Sequence, residues 1–127
     1  MQETVNDVMS KKVVAVLPGD TLEEAARLMK EHDVGVLPVV SGGELKGLVT
    51  DRDIVLQCVA AGKEPSQVKA YQIMTKDVVS VSPGHTVSEA ARLMGKEQIR
   101  RLPVVENGRV TGMVSVADIA RLRHGVE

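Results

Sequence analysis

Two heptapeptides in this chain have the residue types and spacing to do chemistry. They are Gly47-Leu48-Val49-Thr50-Asp51-Arg52-Asp53 and Gly112-Met113-Val114-Ser115-Val116-Ala117-Asp118. Both read Gly-x-x-hydroxyl-x-x-Asp. The hydroxyl and the carboxylate, one helical turn apart, project from a single strand-to-helix corner. A carboxylate accepts from two vicinal hydroxyls, the geometry of ribose recognition. The adjacent helix N-terminus offers free N–H groups and positive dipole to a phosphate. Glycine lets a ligand approach the backbone closely. The same spacing also makes a helix N-cap, with hydroxyl and carboxylate satisfying the first free N–H groups. The two readings are compatible, because a cap residue can also face a cleft.

Other reactive constellations are weaker. Cys58 is the only cysteine, which excludes an internal disulfide and fits a reducing compartment. It sits on an apolar helical stretch with no paired histidine, as a core residue does. There is no CxxC or HExxH, and His32, His85 and His124 are widely spread, so no metal site is expected. No nucleophile–base pair appears, so the chain reads as a non-enzyme.

The elements that position the two corners come from a duplication. Shifted by 65 positions, residues 8–54 lie over residues 73–119 without a gap, with 23 identities in 47 positions. Glu24-Ala25-Ala26-Arg27-Leu28-Met29 falls on Glu89-Ala90-Ala91-Arg92-Leu93-Met94, and Leu37-Pro38-Val39-Val40 on Leu102-Pro103-Val104-Val105. Each copy reads β-α-β-β-α. Val13 to Val16 is a β-branched run and predicts a strand. Thr21 and Glu24 make a capping box, repeated by Thr86 and Glu89. Leu22, Ala25, Ala26, Leu28 and Met29 have helical spacing, and the helix fades near His32-Asp33. Val36 to Val40 is a second strand, with Pro38 at an edge or strand start. Gly42-Gly43 turn it into a third strand, Leu45 to Val49. A second helix runs from about Asp51 to Ala60, with Gly62 as its stop. The segments Val5 to Met9 and Tyr71 to Met74 lead into the two copies and are candidates for short helices. The division expected is residues 1–61 and 62–127, with 62–72 as the connection. A unit of this size is marginal alone, so the two copies are expected to share a core across a pseudo-twofold axis.

Composition narrows the function classes. Hydrophobic residues make up 43% and charged residues 26%, an ordinary globular balance. There is no Phe or Trp, and Tyr71 is the only aromatic, so the core is aliphatic and no row of stacking platforms exists for single-stranded nucleic acid. The net charge of −1 also argues against a nucleic-acid binder. It conceals −4 over residues 1–60 and +3 over residues 61–127, an asymmetry that reads either as the mark of an anion site in the second half or as chance spread of surface charge. No apolar run reaches the ~18 residues of a membrane span. The opening Met-Gln-Glu-Thr lacks a secretory signal, so a cytoplasmic location is expected.

With these motifs in place, the chain resembles a tandem pair of CBS domains, over about residues 4–123. The resemblance rests on Val-x-Val-x-Pro-x-x-Thr-x-x-Glu-Ala-x-x-x-Met, Leu-Pro-Val-Val and Gly-Leu-Val-Thr-Asp-Arg-Asp-Ile, with Ile-Arg-Arg-Leu-Pro-Val-Val and Gly-Met-Val-Ser-Val-Ala-Asp-Ile in the second copy. It implies a mixed α/β fold (α+β) of two β-α-β-β-α repeats, a stand-alone regulatory module and a homodimer. It also implies two clefts between the repeats that take an adenosine derivative such as AMP, ADP or ATP. In the primary site Ser115 and Asp118 would hold ribose, Arg100 and Arg101 phosphates, and Val34, Gly35 and Val36 adenine. The secondary site would use Thr50 and Asp53 with Ile99. It departs from the pattern, because Gly35-Val36 replaces the basic pair, and Arg52 would have to substitute. No cofactor is implied beyond the nucleotide ligand. Asp51 and Asp53 are too few for a protein-only Mg²⁺ site, so any magnesium would come with the nucleotide.

Three alternatives stay open at this level. The fold could serve as an interaction scaffold without a nucleotide, bind another adenosyl ligand such as NAD(H) or S-adenosylmethionine, or bind nucleic acid through its basic half. A protein partner is compatible with each of them.

Overall fold

The computed structural model describes residues 3–126. The element order is α1 (Val5–Val8), α2 (Leu22–His32), β1 (Val36–Ser41), β2 (Glu44–Thr50), α3 (Asp51–Ile54), a π-helical turn (Val55–Val59), a 3₁₀ turn (Pro65–Gln67), α4 (Ala70–Ile73), α5 (Val87–Glu97), β3 (Arg101–Glu106), β4 (Arg109–Ser115) and α6 (Val116–Val126). These group into two compact units. Val14–Val78 forms one, and the segment up to Val13 joins the residues from Val79 onward in the other. The cuts therefore differ from the 1–61 and 62–127 division read from the duplication. Each lead segment packs on the body that lies away from it in sequence: α4 belongs with the first hairpin and α1 with the second.

Local chemistry sets each element. Thr21 Oγ1 accepts from the Glu24 N–H at 3.1 Å, and the Glu24 carboxylate accepts from the Thr21 N–H at 3.1 Å. This reciprocal box starts α2, and Thr86 with Glu89 starts α5 in the same way, at 3.0 and 2.8 Å. Leu22, Ala25 and Met29 form the buried stripe of α2, and Val87, Ala90 and Met94 that of α5. Asp33 and Gln98 end these helices in the left-handed conformation, at φ 53° and 57°.

Both hairpins are antiparallel, with Val36 opposite Thr50 in β1–β2 and Arg101 opposite Ser115 in β3–β4. Gly42 and Gly43 have φ of 62° and 84°, the pair of positive angles that a two-residue turn between twisted strands requires. Asn107 and Gly108 do the same in the second hairpin. The strand predicted at Val13–Val16 contracts to one parallel bridge, between Val16 and Val39, because Pro18-Gly19 turns the chain at once. That bridge accounts for Pro38. The Val16 N–H donates to the Pro38 carbonyl at 3.1 Å, so the proline's missing N–H lies on a side bordered only by this short bridge.

Each unit has its own aliphatic cluster. Leu22, Leu37, Val39, Val49, Ile54 and Cys58 centre the first. Val5, Ala90, Leu102, Val104 and Val114 centre the second. Val5 and Ala70, one from each lead segment, are fully buried, which shows that those segments complete the cores. The helix expected over 51–60 is α-helical only to Ile54, and then becomes a π turn. The turn directs Cys58 inward, where its thiol donates to the Lys63 carbonyl, and leaves Val55, Leu56 and Val59 exposed.

Candidate functional site

The hydroxyl-x-x-Asp motifs stand at the β2–α3 and β4–α6 corners, and in both the capping chemistry is realised. The Thr50 N–H donates to Asp53 Oδ2 at 3.0 Å, and the Asp53 N–H to Thr50 Oγ1 at 3.0 Å. The Ser115 N–H donates to Asp118 Oδ2 at 2.9 Å, and the Asp118 N–H to Ser115 Oγ at 3.1 Å. Each aspartate thus commits Oδ2 to the cap and leaves Oδ1 to a side chain one turn further along. Asp53 Oδ1 accepts from Gln57 Nε2 at 3.3 Å, and Asp118 Oδ1 pairs with the Arg121 guanidinium. Arg121 is largely exposed, at 71%, while the Asp118 side chain is only 11% exposed. Sequence reading missed Arg121 and Gln57. Their distance of one turn beyond each aspartate is the signal that could have found them.

Each corner lies beside the entry to its own repeat's first hairpin strand. The Val116 N–H donates to the Arg100 carbonyl at 2.9 Å, and Arg101 faces Ser115 across the strands. Ser115, Asp118, Arg100 and Arg101 are therefore gathered in one unit, with Arg121 as a third guanidinium. The equivalent bonds in the first unit join the Asp51 N–H to the Gly35 carbonyl at 2.8 Å and set Val36 opposite Thr50. Thr50, Arg52, Asp53, Val34, Gly35 and Val36 are gathered there. Val34 and Ile99 also pack sideways onto their own units' aliphatic clusters.

The two corners differ by a paired exchange. A Cβ at Gly35 would stand 2.8 Å from Asp51 Oδ2. The nearest group to that position is the carboxylate end of the exposed Asp51 side chain. The second copy has Arg100 and Val116 at the matching positions. The first corner is thus acidic, with Asp51 beside Asp53, and the second is rich in guanidinium groups. Arg52 is exposed, and its N–H donates to Asp51 Oδ1 at 2.8 Å.

The glycines of the motif do different work from that read in the sequence. A Cβ at Gly112 would lie 2.7 Å from the Ser10 carbonyl and 2.8 Å from Met9 Sδ. At Gly47 it would lie 2.8 Å from the Thr75 carbonyl and 2.9 Å from Met74. The close approach that glycine permits is made by the lead segments of the chain itself. Among the described residues, no group of three or more His, Cys, Asp and Glu is gathered as a metal site would need, and no helix is long and apolar enough to cross a membrane.

Comparison with known proteins agrees with this architecture. The family model described as "CBS domain" matches twice, at residues 5–59 and 68–125. A CBS domain-containing protein, YhcV of Bacillus subtilis, is 43% identical over 117 residues, covering 92% of this chain and 83% of that protein. The crystal structure of Hypoxic Response Protein I with two coordinated zinc ions superposes with a TM-score of 0.85 at 38% identity, covering 93% of this chain and 97% of that one. The same-named protein in the curated comparison comes from Mycobacterium tuberculosis. The CBS domain pair of protein MJ0100, solved in complex with 5′-methylthioadenosine and S-adenosyl-L-methionine, has a TM-score of 0.84 at 31% identity over the full length of both chains. The duplicated motifs, the hairpin-and-helix units and these matches lead to one assignment: the chain belongs to the CBS domain family, as a tandem pair of CBS domains.

Proposed function

We propose that this CBS pair is a non-enzymatic regulatory module that binds an adenosine derivative, and that the corner at Ser115 and Asp118 is its principal binding element. The observation that carries this reading is the grouping in one unit of Arg100, Arg101, Ser115 and Asp118. Asp118 Oδ1 takes no part in the cap and meets only the exposed Arg121 side chain, which suits a ribose hydroxyl, and the arginines suit an anionic tail. The complex of the MJ0100 pair with adenosyl compounds supports the ligand class. The acidic first corner favours a ligand with less negative charge or none at Thr50 and Asp53. Ligand acts on a partner, or on a second copy, only through different affinity for two states of the module.

The test is a thermal-shift screen with AMP, ADP, ATP, NAD(H) and S-adenosylmethionine on the wild type and on Asp118→Ala. At least one adenosyl compound should raise the wild-type melting temperature, and the variant should lose that rise. Asp118 also caps α6, so each shift is read against the variant's own ligand-free baseline. A wild type that no adenosyl compound stabilises at millimolar concentration would sink the reading and favour the scaffold role.

A further inference from the structure

We propose that His85 is a pH-sensitive latch that holds the N-terminal lead segment on the second-repeat unit. The Ser82 N–H donates to His85 Nδ1 at 2.8 Å, and Ser82 Oγ lies 2.9 Å from the same nitrogen. Accepting from a backbone N–H requires a lone pair on Nδ1. The ring in this turn is therefore neutral, with its proton on Nε2.

The turn so closed is the dock for the lead segment. The Val5 N–H donates to the His85 carbonyl at 2.8 Å, the Asn6 N–H to the Pro83 carbonyl at 3.0 Å, and the Val87 N–H to the Glu3 carbonyl at 2.9 Å. From that dock the segment runs on to Ser10, which exchanges two hydrogen bonds with Met113 at 2.8 and 2.9 Å. Met113 lies on the strand that ends at Ser115, so the dock supports the strand carrying the principal corner.

The first repeat supplies the internal control. Sixty-five residues earlier, Asp20 stands in the place of His85. Its Oδ2 accepts from the Leu17 N–H at 2.8 Å, and Ala70 and Tyr71 dock on the Asp20 and Pro18 carbonyls at 2.8 and 3.0 Å. A carboxyl group keeps an acceptor oxygen whether or not it is protonated, whereas an imidazole protonated on both nitrogens accepts nothing. The two docks share one geometry, and only the second can be opened by mild acid.

Protonated at Nδ1, the ring has no lone pair for the Ser82 N–H. It must swing away, or give its new proton to Ser82 Oγ and leave that N–H unpaired. The charged groups around the turn are Glu89 and Arg92 on α5, Glu3 and Asp7 on the lead segment, and Lys11 and Glu106 on the hollow beside Pro83-Gly84. Their carboxylates attract the imidazolium but cannot restore the bond to the Ser82 N–H. The dock is therefore complete with the neutral ring and weakened by protonation of the ring.

Hydrogen-exchange protection factors and thermal unfolding on the full chain at about pH 7.5 and about pH 5.5 test this, with His85→Asn and His85→Asp as controls that keep an acceptor. In the wild type the amides of Ser82, Val5 and Asn6 should lose about 3- to 10-fold in protection at the lower pH, the worth of one turn hydrogen bond. His85→Asn should keep its protection there, and so should His85→Asp if that variant's native fold is retained. The corresponding amides of Leu17, Ala70 and Tyr71 should not respond in any of the proteins. Equal loss in the wild type and His85→Asn, or no loss in the wild type, would overturn the latch.

Discussion

The carboxylate of Asp51 lies where a side chain at Gly35 would have to begin, with Oδ2 2.8 Å from the position of a Cβ. The backbone joins the same two residues, because the Asp51 N–H donates to the Gly35 carbonyl at 2.8 Å. In the second repeat the matching residues are Arg100 and Val116, joined by the equivalent backbone bond at 2.9 Å. The exchange adds a carboxylate to the first corner and a guanidinium to the second.

Gly35→Ala should destabilise the chain by at most about 0.5 kcal/mol, because the atom in the way is the end of the exposed Asp51 side chain, which can turn aside. Asp51→Val should relieve most of that loss, so the double variant should be more stable than the sum of the singles. Urea unfolding of the four proteins checks it. Additive effects would show that the two side chains do not compete for the space. Gly35→Arg with Asp51→Val should further give the first corner a response to nucleotide polyphosphates.

Gly112→Ala should destabilise the ligand-free chain by about 1–3 kcal/mol. Its Cβ would strike the Ser10 carbonyl, a backbone atom that cannot step aside as a side chain can. If glycine stood there to admit a ligand, the loss would appear in binding and not in ligand-free denaturation. Unfolding in the absence of any adenosyl compound separates the two.

Ser115→Ala removes a side-chain acceptor from the start of α6 and should cost about 0.5–2 kcal/mol. Ligand-induced stabilisation should survive in part, because the Asp118 carboxylate and the arginines remain. Isothermal titration of the variant with whichever adenosyl compound stabilises the wild type measures this. Complete loss of binding would mean that the hydroxyl, and not the carboxylate, is the main ligand contact.

The capping carboxylates give an acid limb of stability. The hydrogen bond from the Thr21 backbone N–H, and then that from its hydroxyl, hold Glu24 below its ordinary value of 4.5. The Thr86 N–H and hydroxyl do the same for Glu89, and Thr4 for Asp7 below 3.8. A folded-state value below the unfolded one means that the ionised form favours folding. That contribution is complete above the unfolded value and is lost as pH falls through the folded one. The melting temperature should therefore drop as pH is lowered from about 5 toward 3, and Glu24→Gln with Glu89→Gln should flatten the drop. An unchanged slope in the double variant would show that other carboxylates control acid unfolding.

The exposed trio Val55, Leu56 and Val59 is an apolar face of the π turn. If this module acts as an oligomer through that face, Leu56→Asp with Val59→Asp should lower the mass seen by light scattering without reducing helicity. An unchanged mass with intact fold would remove this face from any subunit contact.

The sequence by itself determined the elements and their local stops. Capping boxes, hairpin turns and apolar stripes act between residues a few positions apart, so Thr21-x-x-Glu24, Gly42-Gly43 and Leu22/Ala25/Met29 could be read directly. The corners at Thr50/Asp53 and Ser115/Asp118 were legible for the same reason, together with their second reading as caps. Only the tertiary structure decided what sits against what. That lead segment 3–13 completes the second-repeat unit, and that Met9 and Met74 press on Gly112 and Gly47, depends on contacts across many tens of residues. Such contacts leave no periodicity in the chain, because burial is roughly proportional to apolar area and has no fixed direction or spacing. The departure of Gly35-Val36 from a basic pair was visible as a difference in letters. That the carboxylate of Asp51 lies beside Gly35 is seen only once the β2–α3 corner is folded back on the start of β1.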